Sequence, residues 1–257
     1  MDTVTSADGT PIAFRTLGDG PTVVIVNGAL STAADASGLA EALAASGLRA
    51  VTWDRRARGD SGDARDSAPE RESEDLAAVI EAEGGDAAVL GHSSGAVLAL
   101  FAASLGVPIR RLFLSEPPLH AGEPAPHDLP DRLQALVDDG ALEDAVATFQ
   151  VEGVGLPREM VEGMRARGAL TLLAPLAQST VYDARLVRDA GGPTAAMLEV
   201  GQPIVILRGE QTFPVLVEAA DRLAAARPDA ELVVVPESVM HRPDPAATAR
   251  IVAERMG

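Results

Sequence analysis

Val89-Leu90-Gly91-His92-Ser93-Ser94-Gly95-Ala96-Val97 is the stretch that decides how this chain reads. The apolar run before it, Ala87 to Leu90, has the length and character of a buried strand, and the small apolar residues from Ala96 to Leu105 have those of a helix. Between them lies Gly-x-Ser-x-Gly. A turn joining strand to helix that tightly leaves no room for side chains two places either side of Ser93, which is where the glycines stand. It holds the hydroxyl clear of the strand, while the N-terminus of the next helix directs positive potential at it. Strand, glycine-flanked serine and helix together make a nucleophile elbow. The bare pentapeptide would also suit an ordinary turn capped by Ser93 or Ser94.

Upstream, residues 3–6 and 11–16 are strand-like around the hairpin signal Asp8-Gly9. Thr22 to Val26 is a β-branched run suited to burial on both faces. A small-residue helix over Leu39–Ala45 leads to a strand over Arg49–Trp53. Ser67-Ala68-Pro69-Glu70 opens a further helix, with Leu76, Val79 and Ile80 at helical spacing. Downstream of the elbow, Arg110–Ser115 is the next strand. The alternation predicts a mostly parallel central sheet flanked by helices, an α/β fold. After Pro118 the rhythm changes: residues 119–130 carry no period and 131–190 look helical throughout. The sheet resumes with strands at Pro203–Leu207 and Glu231–Val235 and helices at Val215–Ala225 and Pro245–Arg255. The expected organisation is a core of residues 1–118 and 191–257 interrupted by an all-helical cap, residues 119–190.

Composition narrows the chemistry. A net charge of −17 over 257 residues disfavours nucleic acid and anionic membrane surfaces as partners. There is no cysteine, so no disulfide, thiolate nucleophile or Cys-ligated zinc is expected. All 21 basic residues are arginine, which removes a Schiff-base lysine and a P-loop lysine. His92, His120, His127 and His241 form no His-x-x-x-His or Glu-x-x-His pair, so a catalytic zinc is not expected. Met1 to Thr10 has neither the basic start nor the apolar core of a signal peptide, and no apolar run reaches membrane-spanning length. A cytoplasmic enzyme acting on a small molecule without cofactor or metal is expected; monomer and homodimer both stay open.

With these residues in hand, the chain resembles the α/β-hydrolase superfamily along nearly its whole length. Asn27-Gly28-Ala29 is similar to the family's His-Gly-x oxyanion loop, with Asn for His. Asp54 to Gly62 resembles an Asp-Arg-Arg-Gly-Arg-Gly-Asp-Ser-Gly peptide of small bacterial members, with Ala57 for Gly. Gly91–Gly95 matches the elbow, and Ser115-Glu116-Pro117-Pro118 is similar to a strand-end Tyr-Glu-Pro-Pro. His241 falls between the last strand and last helix, where the family has its base.

The resemblance implies Ser93 as nucleophile and His241 as base. His92 is too close in sequence to turn back onto Ser93; the plain alternative for His241 is a surface loop histidine. The acid is the open position. Where the family's Gly-Glu-x-Asp pattern puts aspartate, Gly209-Glu210-Gln211-Thr212 has threonine. Glu116, fixed beside two prolines, is favoured over Glu210; Asp244 suits a cap for the last helix better. The N–H groups of Ala29 and Ser94 are expected to form the oxyanion hole, with Asn27 bracing the loop. Arg55, Arg56, Arg58 and Asp60 read as a paired, solvated surface turn rather than an anchor for an acidic substrate. His120, Phe149, Met160, Met164 and Tyr182 read as cap core, and secondarily as pocket lining.

The function expected is hydrolysis of a carboxylic ester, thioester or lactone through an acyl-enzyme. The missing aspartate keeps a second reading alive, a cofactor-free lyase, cyclase or perhydrolase-like enzyme. A non-catalytic binding member of the fold is the third.

Overall fold

The computed structural model describes residues 1–64, 67–119 and 126–256. Its strands are β1 (Asp2–Thr5), β2 (Pro11–Leu17), β3 (Thr22–Val26), β4 (Arg49–Trp53), β5 (Ala87–His92), β6 (Ile109–Ser115), β7 (Ile204–Gln211) and β8 (Glu231–Val239). The core helices are α1 (Ser37–Ala45), α2 (Pro69–Ala82) and α3 (Ser94–Ser104). Between β6 and β7 lie α4 (Leu129–Asp138), α5 (Leu142–Thr148), α6 (Arg158–Ala166), α7 (Ala169–Leu173), α8 (Ala177–Ala190) and α9 (Ala195–Leu198), the last packing Met197 into the sheet core, and α10 (Pro214–Ala226) and α11 (Pro245–Met256) follow. None of the described helices is long and apolar enough to cross a membrane.

The eight strands form one sheet in the order β1-β2-β4-β3-β5-β6-β7-β8. Only β1–β2 and β2–β4 pair antiparallel; from β4 to β8 every neighbour is parallel. A parallel sheet must be covered on both faces, and the continuous apolar strands meet that need. Val24, Val26, Val89, Leu112 and Ile206 point into one buried cluster with α2 and α3, while Val23, Ile25, Leu90, Phe113 and Val205 point into the other with α1 and α11. The expected alternation of strand and helix is present.

The last two strands run further than their apolar cores suggest. Gln211 pairs with Val239 across an irregularity at Gly209–Gln211, so Glu210 lies on β7 rather than in a loop. Burial does not drive this extension, because Glu210, Gln211, Glu237 and Val239 are exposed. Backbone pairing does, and hydrophobic patterning is blind to it.

The helices α4 to α8, the segment expected as a cap, have their own cluster, which includes Leu129, Leu133, Val146, Phe149, Val161, Leu170, Val181 and Tyr182. Leu186 and Ala190, further along α8, belong instead to the sheet's core. One helix therefore joins both bodies. On the cap's underside Ala29, Leu30 and Ala57 of the core pack against its cluster.

Candidate active site

β5 delivers Ser93 to the C-terminal edge of the sheet. Ser93 has φ 55° and ψ −126°, a conformation that L-residues rarely adopt. Its N–H bonds the Ser115 carbonyl at 2.9 Å, and its own carbonyl accepts from Ala96 at 2.9 Å. The flanking glycines are required by contact. A Cβ on Gly95 would lie 2.1 Å from the Val26 oxygen, and one on Gly91 would lie 2.5 Å from the Ala96 Cα. Gly28 faces Ser93 so closely that a Cβ there would meet the Ser93 Cβ at 2.9 Å.

His241 follows β8 and Glu116 follows β6. Strands that are apart in the chain but close in the sheet bring them together, with His241 Nδ1 2.5 Å from Glu116 Oε2. The other Glu116 oxygen accepts from the Gly209 N–H at 2.8 Å. That approach depends on glycine, since a Cβ on Gly209 would sit 3.1 Å from Glu116 Oε1 and 2.5 Å from the Ser238 oxygen. Burial pushes the Glu116 carboxyl up, but the bonds from His241 and Gly209 outweigh it and hold it below the usual carboxylate range. Thr212, at the position of the family's aspartate, keeps its buried hydroxyl beside this carboxylate without a well-formed hydrogen bond. Glu210 is exposed on β7.

The His92 ring lies against His241, with centroids 4.6 Å apart and planes tilted by 41°. Burial and the neighbouring His241 drive the His92 pKa down to about 3, which favours the neutral ring. His127 is exposed, and the expectations for His120 lie outside the described residues. Asp244 accepts from the Ala247 N–H at 2.8 Å, the geometry of a helix cap.

Asn27 braces its own loop, its amide donating to the Thr32 carbonyl at 2.6 Å. Among the described residues, no acceptor takes the N–H of Ala29 or Ser94. Both amides stay free to donate.

The arginine loop differs from the surface turn read in the sequence. Arg55, Arg56 and Arg58 are only 1%, 0% and 2% exposed; Asp60 alone faces solvent. Arg55 forks onto Glu72 with two bonds of 2.8 Å and reaches Asp183 at 3.0 Å. Arg56 forks onto Asp75 with two bonds of 2.7 Å. Arg58 donates to Asp183 at 2.6 Å and to the Gly28 carbonyl at 2.5 Å. Each guanidinium is buried because a buried carboxylate meets it. The signal lay in α2: Glu72 and Asp75 share the face of Leu76 and Val79, so acids were pointing inward. Asp183, on the cap, gave no such sign.

Phe149, Met164 and Tyr182 do pack within the cap cluster, and the Tyr182 hydroxyl donates to Asp63 at 2.7 Å. Met160 is 50% exposed and belongs neither to the core nor to a lining. The amphipathic turn of α6 puts Val161 inward and Met160 out.

Residues 23–251 match the model of the alpha/beta hydrolase family. An alpha/beta hydrolase from Sphaerobacter thermophilus is 42% identical over 100% of both chains, with a TM-score of 0.90. A hydrolase from Pseudomonas aeruginosa is 20% identical over 100% of this chain and 98% of its own, TM-score 0.76. A thermophilic esterase from Thermogutta terrifontis, with malate bound, is 20% identical over 99% and 96%, TM-score 0.72. No curated protein matches the chain. The matched family and the sheet order agree, and the chain belongs to the alpha/beta hydrolase family.

Proposed function

We propose that the protein is a serine hydrolase that cleaves a small-molecule carboxylic ester, thioester or lactone through an acyl-enzyme on Ser93. The observation that carries this reading is the Glu116–His241 pair at the sheet edge that also presents the strained Ser93. A serine hydroxyl is a weak nucleophile until a base removes its proton. In this reading Glu116 holds the proton on His241 Nδ1 and leaves the Nε2 lone pair to act as that base.

Ser93 Oγ attacks the carbonyl carbon as His241 takes its proton, and the negative oxygen is held by the N–H groups of Ala29 and Ser94. The carbon–oxygen or carbon–sulfur bond to the leaving group then breaks, and His241 returns the proton to it. Water repeats the sequence on the acyl-enzyme, releasing the acid and restoring Ser93. No step calls on a metal or organic cofactor. The lyase or cyclase reading rested on the missing aspartate at Thr212, and a carboxylate on His241 weakens that ground.

A fluorophosphonate probe tests the reading beside p-nitrophenyl esters of rising chain length. Wild type is expected to be labelled and to turn esters over, and Ser93→Ala and His241→Ala to do neither. Equal labelling of wild type and Ser93→Ala would sink the nucleophile assignment.

A further inference from the structure

The buried charge cluster beneath the oxyanion loop has a job that the triad does not explain. Three loop carbonyls are taken by guanidiniums: Asn27 by Arg55 at 3.3 Å, and Gly28 and Ser31 by Arg58 at 2.5 and 3.2 Å. The Gly28–Ala29 peptide is trans. In a trans peptide the carbonyl and the following N–H point in opposite directions from one rigid plane. Whatever fixes the Gly28 oxygen therefore fixes the Ala29 N–H. Arg58 is that group.

Arg58 is in turn held by one carboxylate that belongs to the cap. Asp183, 0% exposed on α8, accepts from Arg58 on Oδ2 and from Arg55 and the Ser94 hydroxyl on Oδ1, the last at 2.7 Å. A single buried side chain thus touches Ser94 directly and Ala29 through Arg58. The charge matters as well as the bonds. Burial, and after it the nearby Arg55, oppose the protonated state of Arg58, and Asp183 is the counter-charge that both guanidiniums meet. Arg56, in the same loop, is equally buried on Asp75 but reaches neither oxyanion residue.

Resting on the hydrolase reading of the site, we propose that Arg58 and the cap residue Asp183 are positioning residues that aim the Ala29 N–H at the developing oxyanion. The cap is then a structural part of the catalytic apparatus, and not only a cover over it.

The test compares Asp183→Asn, Arg58→Met and Arg58→Lys with Asp75→Asn, which breaks a comparable buried ion pair away from the oxyanion loop. Active sites are titrated with the fluorophosphonate, so that kcat for p-nitrophenyl acetate counts only folded, competent protein. Affinity for a trifluoromethyl ketone, which binds as a hemiketal oxyanion, is read in parallel. Asp183→Asn and Arg58→Met are expected to lose on the order of 10²-fold in kcat per titrated site, the scale of a spoiled oxyanion donor. KM stays within about threefold, and ketone affinity falls in step with kcat. Arg58→Lys, with charge but no fork, recovers part of the loss. Asp75→Asn lowers the unfolding midpoint while its kcat per site stays within about threefold of wild type. The proposal is overturned if Asp183→Asn and Arg58→Met keep wild-type kcat per site, or if Asp75→Asn loses as much as they do. A wild type no faster than Ser93→Ala is a separate result: it overturns the hydrolase reading, and the proposal with it.

Discussion

Glu116→Gln is the sharpest perturbation of the proposed site. The amide is nearly isosteric, and its oxygen can still accept from the Gly209 N–H, which the carboxylate binds at 2.8 Å. The other position, now NH2, faces His241 Nδ1, which sits 2.5 Å from Glu116 Oε2. A donor there needs an acceptor, so the imidazole is driven to the tautomer with its proton on Nε2. That nitrogen can no longer take the Ser93 proton. The variant also loses the negative charge that stabilises the imidazolium. Wrong-tautomer variants of serine triads lose on the order of 10⁴-fold in kcat, which is about 5.5 kcal/mol of barrier. The fold itself should survive, since the shape and the Gly209 bond are kept. The assay is kcat/KM for p-nitrophenyl acetate per titrated active site, with Glu210→Gln measured alongside. Glu210 is exposed, and its variant should match wild type. A Glu116→Gln enzyme within about tenfold of wild type would refute the triad reasoning, because one tautomer cannot both be blocked and turn over. So would a larger loss in Glu210→Gln.

Thr212→Asp placed in the Glu116→Gln background should recover part of the lost kcat, because Thr212 already stands beside the carboxyl position; no recovery in a folded double variant would refute a shared location for the two acids. His92 is held neutral, its pKa near 3 when folded against about 6.5 when unfolded, so the unfolded chain binds the extra proton between those values. Stability should therefore fall as pH drops below about 6.5, by up to roughly 1.4 kcal/mol per pH unit; urea unfolding of His92→Asn should show a flatter slope. The depressed Glu116 carboxyl works in the same direction lower down: its contribution is present above about pH 4.3 and is lost as pH falls through its folded value. Gly28→Ala would push a Cβ to 2.9 Å from the Ser93 Cβ, so labelling of Ser93 should fail and the clash should cost about 1–3 kcal/mol of stability, read as a lower urea midpoint. Asp244→Ala should cost about 1 kcal/mol through the lost cap of α11, read as a lower urea midpoint with unchanged kcat.

Most of the sheet was legible in the sequence because burial wrote it there. Val23 to Val26 and Ala87 to Leu90 are 0–2% exposed, and such strands cannot be polar. The ends of β7 and β8 were not legible, since pairing rather than burial extends them. Ser93 and His241 were proposed from local context and chain order, and the structure puts them after β5 and β8. The pairing of Glu116 with His241 could only be favoured, because it depends on the sheet order placing β6 beside β7 and β7 beside β8. The arginine loop misled for an electrostatic reason. Alternating charges usually solvate one another at the surface, and what reverses that here is a set of distant carboxylates, Glu72, Asp75 and Asp183, whose arrival no local pattern announces. Asp183 belongs to a cap helix whose apolar spacing said nothing about what its polar face would meet.

Among the described residues, the non-glycine positions with positive φ are Leu30, Ala57, Ser93, Glu116, Met240 and His241. Backbone of this kind costs of order 1–3 kcal/mol per residue. These positions gather along the end of the sheet where the proposed nucleophile, base and acid stand, and Leu30 belongs to the proposed oxyanion loop. For a protein engineer this divides the strained positions into two classes. At Ser93, Glu116 and His241 a glycine would relax the backbone and erase the chemistry, so a screen for stability alone would drift towards inert protein. Ala57 carries no reacting group, and its φ of 59° suits glycine. Ala57→Gly is thus a site where thermal tolerance can rise without trading away turnover, and a library weighted towards it would separate the two selections that the sheet edge otherwise ties together.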